Sequence, residues 1–351
     1  MPRRAPMCIT GAVAAALALA ACTPTVPDSA APAAPAPATA VIAEGLDAPW
    51  SIVFHEGTPL VSERDSGRVV ELAADGSTRE VGVIDGVVAS GEGGLLGLAV
   101  HDRQLYTYVT ADDGNRVERR ELTGTPGALG LGSPTTVIDG IPSAGNHNGG
   151  RIAFGPDGML YVTAGDAGDR DSAQDVDALS GKILRLTPEG EVPDDNPFDG
   201  SAVYSLGHRN PQGIAWDAGG TMYASEFGQD TWDELNVIEP GGNYGWPIVE
   251  GIADDEDFID PVQQWQPSAA SPSGIAVVGD DIAIANLRGE RLRIVPLDDL
   301  AAATEWFTEE FGRLRDAVVA PDGSLWILTN NTDGRGDPSD GDDRILRLEV
   351  D

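Results

Sequence analysis

The segment RIAFGPDGMLYVTAGD, residues 151–166, contains two short apolar strands joined by an Asp-Gly turn. Short apolar runs rich in Leu, Tyr, Val and Thr on both sides of such a turn are typical of a β-hairpin. The next apolar segment, GKILRLT at residues 181–187, supplies a third strand. Together these segments predict one antiparallel β-sheet.

The same hairpin pattern recurs six times between residues 51 and 350, and each copy is followed by a third strand. The third strands are GRVVEL, NRVERREL, GKILRLT, DELNVIE, ERLRIVP and DRILRLEV. This internal repeat predicts an all-β fold, a six-bladed β-propeller of four-stranded antiparallel blades. The segment TAVIAE, residues 39–44, is expected to pair with the last blade and close the ring. Helical periodicity is confined to short segments, and we expect a short helix over residues 300–311.

Residues 1–21 have the features of a bacterial lipoprotein signal peptide, with two arginines before an apolar run too short to span a bilayer. The sequence LAAC at residues 19–22 predicts cleavage before Cys22 and a lipid on its sulfur. An ordinary signal peptide with an incidental cysteine is the alternative. Residues 22–40, rich in Ala and Pro, then form a tether for the folded domain, residues 41–351. We therefore expect a protein anchored by lipid to the bacterial membrane, at the cell surface or facing the periplasm.

The net charge of −35 excludes nucleic acid as a partner, because phosphate binding needs a basic surface. Cys8 leaves with the signal peptide and Cys22 carries the lipid, so the folded domain has neither a disulfide nor a thiolate metal site. Lys182 is the only lysine, and every other basic side chain apart from histidine is an arginine.

His147 lies in the loop before the hairpin at residues 151–166, and Asp166 follows its second strand. The start and the end of a hairpin lie at the same edge of a sheet, so both side chains can reach one rim. An imidazole can accept a proton from an alcohol, and a neighbouring carboxylate fixes its tautomer. The pair is a candidate acid–base site. The alternative is a turn-capping aspartate and an unrelated loop histidine.

Arginines stand at inner-rim positions of three repeats. Arg209 and Asn210 precede the fourth hairpin, Arg288 follows the fifth, and Arg313 and Arg315 precede the sixth. Guanidinium and amide donors suit planar carboxylates, and alternate residues such as Arg313 and Arg315 point the same way. These positions predict one central anion site in an acidic protein. The alternative is that each arginine pairs with a surface carboxylate.

Residues 226–247 are rich in turns and hard oxygen donors. Such a region suits Ca²⁺ held by backbone carbonyls and a carboxylate. An acidic loop with structural aromatic residues is the alternative.

Ten segments, in order along nearly the whole domain, resemble the soluble quinoprotein sugar dehydrogenases, the glucose/sorbosone and aldose sugar dehydrogenase family that uses pyrroloquinoline quinone (PQQ). They include GEGGLLGLAVH, HNGGRIAFGPDGMLYVTAGD, LSGKILRL, GHRNPQGIAWD and DELNVIEPGGNYGWP. Each segment alone is weakly specific, whereas ten in order are highly specific. The family fold is a six-bladed propeller, which agrees with the repeat count.

The resemblance implies PQQ- and Ca²⁺-dependent oxidation of aldose sugars at C1 to lactones. His147 matches the family's general base, and Asp166 matches the carboxylate that orients it, while a hydride moves from the sugar to C5 of PQQ. The positions that match PQQ-binding residues are Arg209, Asn210, Arg288, Arg313 and Arg315. The positions that match calcium sites are the carbonyls of Gly228 and Gln229, beside PQQ, and Glu234 and Tyr244, at a second, structural ion.

Three positions depart from the family pattern. Glu92 stands beside the cofactor where Gln is common, and its carboxylate would repel anionic PQQ unless it is protonated or turned to a metal or an arginine. Glu92→Gln is therefore predicted to tighten PQQ binding. Phe227-Gly228-Gln229 replaces His/Gln-Gly-Pro in the calcium loop, and Ala269 stands where Thr or Ser is common.

Two other functions stay open at this point. A cofactor-free, surface-anchored propeller that binds sugar or protein is consistent with Glu92. A metal-dependent lactonase needs carboxylates around one central ion, and the arginines argue against it. The sequence does not identify the electron acceptor; a dehydrogenase anchored to the membrane could pass its electrons to a cytochrome or a quinone.

Overall fold

The computed structural model describes residues 1–2 and 36–349, so residues 3–21 of the predicted signal peptide, Cys22 and most of the predicted tether lie outside the described residues. The chain divides into two units, residues 1–34 and 35–351, and all strands described below belong to the second. Within the described ranges, no helix is both long enough and apolar enough to cross a membrane.

Six antiparallel sheets follow one another along the second unit. After β1 (Thr39–Ala43), the first blade contains β2 (Pro49–His55), β3 (Thr58–Glu63), β4 (Arg68–Leu72) and β5 (Thr78–Val83). The second contains β6 (Leu95–His101), β7 (Gln104–Ala111), β8 (Gly114–Thr123), a short added β9 (Gly130–Leu131) and β10 (Thr135–Ile141). The third contains β11 (Ile152–Phe154), β12 (Leu160–Ala164), β13 (Lys182–Leu186) and β14 (Val203–Leu206).

The remaining three blades repeat this order. The fourth contains β15 (Pro211–Trp216), β16 (Met222–Glu226), β17 (Asp233–Ile238) and β18 (Gln263–Trp265). The fifth contains β19 (Pro272–Val278), β20 (Asp281–Asn286), β21 (Arg291–Pro296) and β22 (Thr304–Trp306). The sixth contains β23 (Leu314–Val319), β24 (Leu325–Thr329), β25 (Ile345–Leu348) and β1.

The sheets form a closed ring. The first strands of neighbouring blades contact one another in the order β2, β6, β11, β15, β19 and β23, and β23 contacts β2 again. β1 completes the sixth blade by pairing antiparallel with β25, with Thr39 opposite Leu348. The predicted propeller and its closure by the segment at residues 39–44 are confirmed, and β1 begins two residues before the expected domain boundary at residue 41.

Apolar side chains from facing sheets fill the space between the blades. Between the last and first blades, Leu328 and Ile345 pack with Ile52, Val61 and Val70, each at most 2% exposed. Burial of a side chain of this size contributes roughly 1.5–3 kcal/mol of transfer free energy. The ring is therefore stabilised by this interface as well as by the pairing of β1.

The prediction of a short helix over residues 300–311 is wrong. This segment forms a turn and then β22, which pairs with β21. Phe307 packs into the core shared by the fifth and sixth blades. Strand pairing and burial therefore override the local helical periodicity. Two short 3-10 helices, Arg170–Gln174 and Pro267–Ala269, occur in the described part of the chain.

The start of each first strand and the end of each second strand lie on the same rim of the ring. In the first blade, Pro49 at the start of β2 is opposite Glu63 at the end of β3. Loops from all six blades therefore meet around the centre of one face.

Candidate active site

A cavity of about 400 Å³ lies on this face, lined by residues from the loops and strand ends of all six blades. The predicted residues in its wall are His147, Glu92, Gly228, Gln229, Arg209, Arg288, Arg313 and Arg315. Asp166 and Asn210 are fully buried and bonded to residues of this region. Glu234 and Tyr244 line a separate, small cavity.

His147 and Asp166 form the predicted pair, with 2.7 Å between Nδ1 and Oδ1. The Asp166 carboxylate also accepts the backbone N–H of Gly168 at 2.8 Å and the indole N–H of Trp246 at 2.9 Å. Burial alone would raise the pKa of Asp166, but hydrogen bonds from His147, Gly168 and Trp246 outweigh it and hold the pKa below its ordinary value. An ionised Asp166 favours the imidazole tautomer with its proton on Nδ1, which leaves Nε2 as the basic nitrogen.

The backbone of His147 is in the left-handed region, with a φ of 56°. This conformation is uncommon for a residue other than glycine and persists where its surroundings enforce it, often at functional sites. Here the Glu92 carboxylate accepts the backbone N–H of His147 at 2.9 Å, and Ala167 donates to the His147 carbonyl at 3.1 Å. The loops on either side therefore fix the position of the imidazole.

Glu92 also forms an ion pair with Arg335, with 3.0 Å between Oε1 and Nη1. One carboxylate oxygen therefore binds a guanidinium and the other binds the backbone of His147. From the sequence, Glu92 is expected to repel anionic PQQ unless its carboxylate is protonated or turned to a metal or an arginine. In the structure the carboxylate is turned to an arginine. The charge of Glu92 is partly neutralised before any anion enters the cavity.

The arginines differ in how they are held. Arg315 is buried and donates to Asn330 at 2.9 and 3.1 Å and to Gln212 at 2.8 Å. Burial lowers the pKa of Arg315 to about 9, although Asp333 opposes that change. Arg313 pairs with Asp333 at 3.1 Å. Arg315 lies 3.7 Å from the same carboxylate, so both arginines pair with Asp333, a buried aspartate and not a surface carboxylate.

Arg209 and Arg288 form no ion pair within the described part of the chain. Arg209 donates to the Phe227 carbonyl at 3.0 Å, and burial lowers its pKa. Three buried donors of this region lack a partner among the described residues: Nε of Arg209, Nε of Arg313 and Nδ2 of Asn210. An unsatisfied buried donor costs about 1–3 kcal/mol, so these atoms indicate where acceptor oxygens can bind.

The loop at Gly228 and Gln229 is folded around two carboxylates. Asp233 accepts the N–H of Gly228 at 2.8 Å, and one oxygen of Glu250 accepts the N–H of Gln229 at 2.7 Å and of Trp232 at 3.2 Å. A Cβ on Gly228 would lie 1.6 Å from the Trp232 carbonyl oxygen, so only glycine fits. In the described ranges no backbone N–H donates to the carbonyls of Gly228 and Gln229. These carbonyl oxygens are available to a hard cation.

The second predicted calcium position is less complete. Glu234 accepts hydrogen bonds from Asn236 at 3.1 Å and from Gly251 at 2.7 Å. Burial, and then the nearby Glu226, raises the pKa of Glu234 to about 8. No group of three or more His, Cys, Asp or Glu side chains in the described residues is arranged to hold a metal. A structural Ca²⁺ at Glu234 and Tyr244 stays a prediction.

Sequence reasoning missed three charged residues of this site, Arg64, Asp333 and Arg335. Arg64 lines the cavity and comes directly after the second strand of the first blade. Asp166 and Arg288 likewise come just after the second strands of their own blades. Comparing the repeats position by position would have found it. Arg335 and Asp333 lie in an Asp- and Gly-rich loop after β24, where no periodicity distinguishes one residue from the next.

Comparisons with known proteins identify the family of this chain. The profile of the family described as Glucose / Sorbosone dehydrogenase matches residues 46–346. A PQQ-bound aldose sugar dehydrogenase from Streptomyces coelicolor is 48% identical, with a TM-score of 0.86 over 91% of this chain and 100% of that chain. Aldose sugar dehydrogenase YliI from Escherichia coli is 31% identical over 85% of this chain and 92% of its own length. Quinoprotein glucose dehydrogenase B from Acinetobacter calcoaceticus is 33% identical over 62% of this chain and 54% of its own. With a matching profile that spans nearly the whole propeller, this chain belongs to the glucose/sorbosone dehydrogenase family of oxidoreductases.

Proposed function

We propose that this protein is a PQQ- and Ca²⁺-dependent dehydrogenase that oxidises aldose sugars at C1 to lactones. The observation that carries the proposal is the His147–Asp166 pair, at 2.7 Å, on a cavity whose wall also holds Arg209 and Arg288, which form no ion pair with the described residues. Relatives named as a PQQ-bound aldose sugar dehydrogenase and a quinoprotein glucose dehydrogenase support the same cofactor and substrate class.

The donors of the cavity fit PQQ, a planar quinone that carries carboxylates. Arg209 and Arg313 each have a buried Nε without a partner in the described residues, and Arg288 reaches the cavity without an ion pair. A volume of about 400 Å³ is in the range of small-molecule cofactor sites. When bound, PQQ would supply the electron-accepting chemistry for removal of a hydride from C1 of the sugar.

The carbonyls of Gly228 and Gln229 would hold Ca²⁺, since they are hard oxygen donors with no backbone partner among the described residues. Asp233 lies in the same cavity wall, and burial raises its pKa to about 6. A nearby cation favours the ionised form of such a carboxylate. When bound there, Ca²⁺ supplies Lewis-acid polarisation.

His147 takes the proton of the anomeric hydroxyl on Nε2, because its Nδ1 is bonded to Asp166. Asp166 stays ionised and stabilises the imidazolium that forms. Arg209 and Arg315 place positive charge in the wall of the same cavity, where they would stabilise negative charge that develops on the electron acceptor.

The decisive experiment adds PQQ and Ca²⁺ to the purified protein and follows dye reduction with a panel of aldoses. We expect reduction that depends on sugar, and failure of every aldose to bleach the quinone absorbance would contradict the proposal. His147→Ala should abolish turnover and leave PQQ bound, whereas loss of PQQ binding would mean that its role is different. His101→Ala is the control, since His101, at the end of β6, stacks on Phe154, at the end of β11, and does not line the cavity.

The membrane anchor and the electron acceptor are also proposals. Lipidation of Cys22 would place the enzyme on the membrane, where a cytochrome or a quinone could take its electrons. Cys22→Ala should then move the protein from the membrane fraction to the soluble fraction, and an unchanged distribution would argue against the anchor.

A further inference from the structure

Lys182 is the only lysine of the chain, it is fully buried at the start of β13, and the proposed reaction does not use it. Its Nζ donates to the carbonyls of Ser172 at 2.7 Å, Ala173 at 3.1 Å and Ser180 at 2.8 Å. No carboxylate of the described residues accepts a hydrogen bond from it. The ammonium is therefore surrounded by carbonyl oxygens in the way that a bound monovalent cation would be.

Two of these carbonyls belong to the 3-10 helix Arg170–Gln174, in the loop between β12 and β13. This helix has one buried residue, Ala173, and so contributes little apolar core of its own. Its side chains reach Trp246: Gln174 donates to the Trp246 carbonyl at 2.7 Å, and the Arg170 guanidinium lies 4.5 Å from the centre of the indole ring. The helix held by the ammonium therefore also holds Trp246.

Trp246 in turn bonds to the acid–base pair. Its indole N–H donates to Oδ2 of Asp166 at 2.9 Å, and Oδ1 of the same carboxylate binds His147. We propose that Lys182 is a positioning residue for this pair, a built-in cation that fixes the 3-10 helix and, through Trp246, the Asp166 carboxylate. The inference rests on the proposed function, because it concerns His147 as the base.

The positive charge is needed for this role. An ammonium has three N–H donors for three carbonyls, whereas a neutral amine has two donors and a lone pair that would face a carbonyl oxygen. Burial lowers the pKa of Lys182 to about 8, and the negative charge of Asp175 opposes that change. The three carbonyl hydrogen bonds also favour the charged form.

The first test measures the connection between Lys182 and Trp246 in the protein without cofactor. In Lys182→Met, we expect the ¹⁵N-edited indole resonance of Trp246, assigned with Trp246→Phe, to shift while the other indole resonances stay in place. Turnover with PQQ and Ca²⁺ should fall at least about tenfold in kcat, with a smaller change in KM. Arg185→Met is the matched control, since Arg185 lies on the same strand and bonds to Asp157 and Asp195 instead.

The second test separates charge from packing. In Lys182→Ala, added propylammonium should restore kcat several-fold, whereas 1-propanol, which is similar in size and neutral, should not. Equal rescue by both compounds, or an unchanged indole resonance and kcat in Lys182→Met, would overturn the inference.

Gln174→Ala covers the case in which the Lys182 variants fail to fold, because Gln174 is only partly buried. This variant removes the hydrogen bond from the 3-10 helix to the Trp246 carbonyl and leaves Lys182 in place. We expect the Trp246 indole resonance to shift. An unchanged resonance would refute the link. If the parent enzyme shows no PQQ-dependent turnover, the proposed function fails, yet the resonance of the cofactor-free protein still tests the role of Lys182.

Discussion

Asp166→Asn removes one charge from the acid–base pair and almost no volume. In the native protein, Oδ1 of Asp166 accepts from His147 and Gly168, and Oδ2 accepts from Trp246. Asparagine has one oxygen acceptor and one amide group that donates. In either orientation, the N–H of Gly168 or of Trp246 therefore loses its acceptor and faces another donor.

The magnitude follows from these contacts. A buried donor without an acceptor costs about 1–3 kcal/mol, so we expect the free energy of unfolding to fall by about that amount. Where the amide donates to Nδ1 of His147, the ring proton moves to Nε2 and the basic lone pair in the cavity is lost. The same change in a Ser-His-Asp triad lowers kcat by about 10⁴, and we expect a loss of about 10³ to 10⁴ here.

The assay measures kcat by dye reduction with PQQ and Ca²⁺ bound, and unfolding by denaturant. A kcat within about threefold of the parent, with PQQ bound, would refute the reasoning. Trp246→Phe removes the competing indole donor, so the stability loss of Asp166→Asn should be smaller in the Trp246→Phe background.

The ionisation equilibrium of Asp166 makes the folded protein less stable as the pH falls. The pKa of Asp166 is lower in the folded protein than its ordinary value, so its ionised form stabilises the fold. That stabilisation is complete above the ordinary pKa of aspartate, about 4, and is lost as the pH falls through the folded pKa. The difference in unfolding free energy between parent and Asp166→Asn should therefore narrow below about pH 4.

Two further predictions concern the cofactor site. Glu92→Gln should tighten PQQ binding to the protein by about fivefold, because one negative charge is lost and Arg335 is released from its ion pair. Equal PQQ affinities of parent and variant from pH 5 to 8 would contradict this prediction. Gly228→Ala should weaken Ca²⁺ and PQQ binding at least about tenfold, because the added methyl overlaps the Trp232 carbonyl, and calorimetric titration with Gly219→Ala as the control should detect it.

The fold was predictable because its signals are local. Short apolar strands joined by polar turns, as in residues 151–166, define each hairpin, and their repetition defines the ring. His147, Asp166 and Arg209 were predictable for the same reason, since each lies at the start or the end of a repeated strand and therefore on one rim. The helix expected at residues 300–311 failed because strand pairing and burial decided the structure there.

Other contacts of the site depend on tertiary packing. The indole of Trp246 reaches Asp166 from a long insertion whose path no local pattern determines. Arg335 reaches Glu92 from an irregular loop of the sixth blade, 243 residues away in sequence. The role of Lys182 was equally hidden, because a lone lysine in an apolar strand does not show which carbonyls surround it.

The burial of Lys182 has a practical consequence for covalent chemistry. It leaves the described surface without a lysine amine, so amine-directed crosslinkers and labels find no lysine target there while the protein is folded. Attachment to a resin or an electrode would proceed through the abundant carboxylates instead. Acylation of Lys182, read by mass spectrometry, would then report the opening of the third blade.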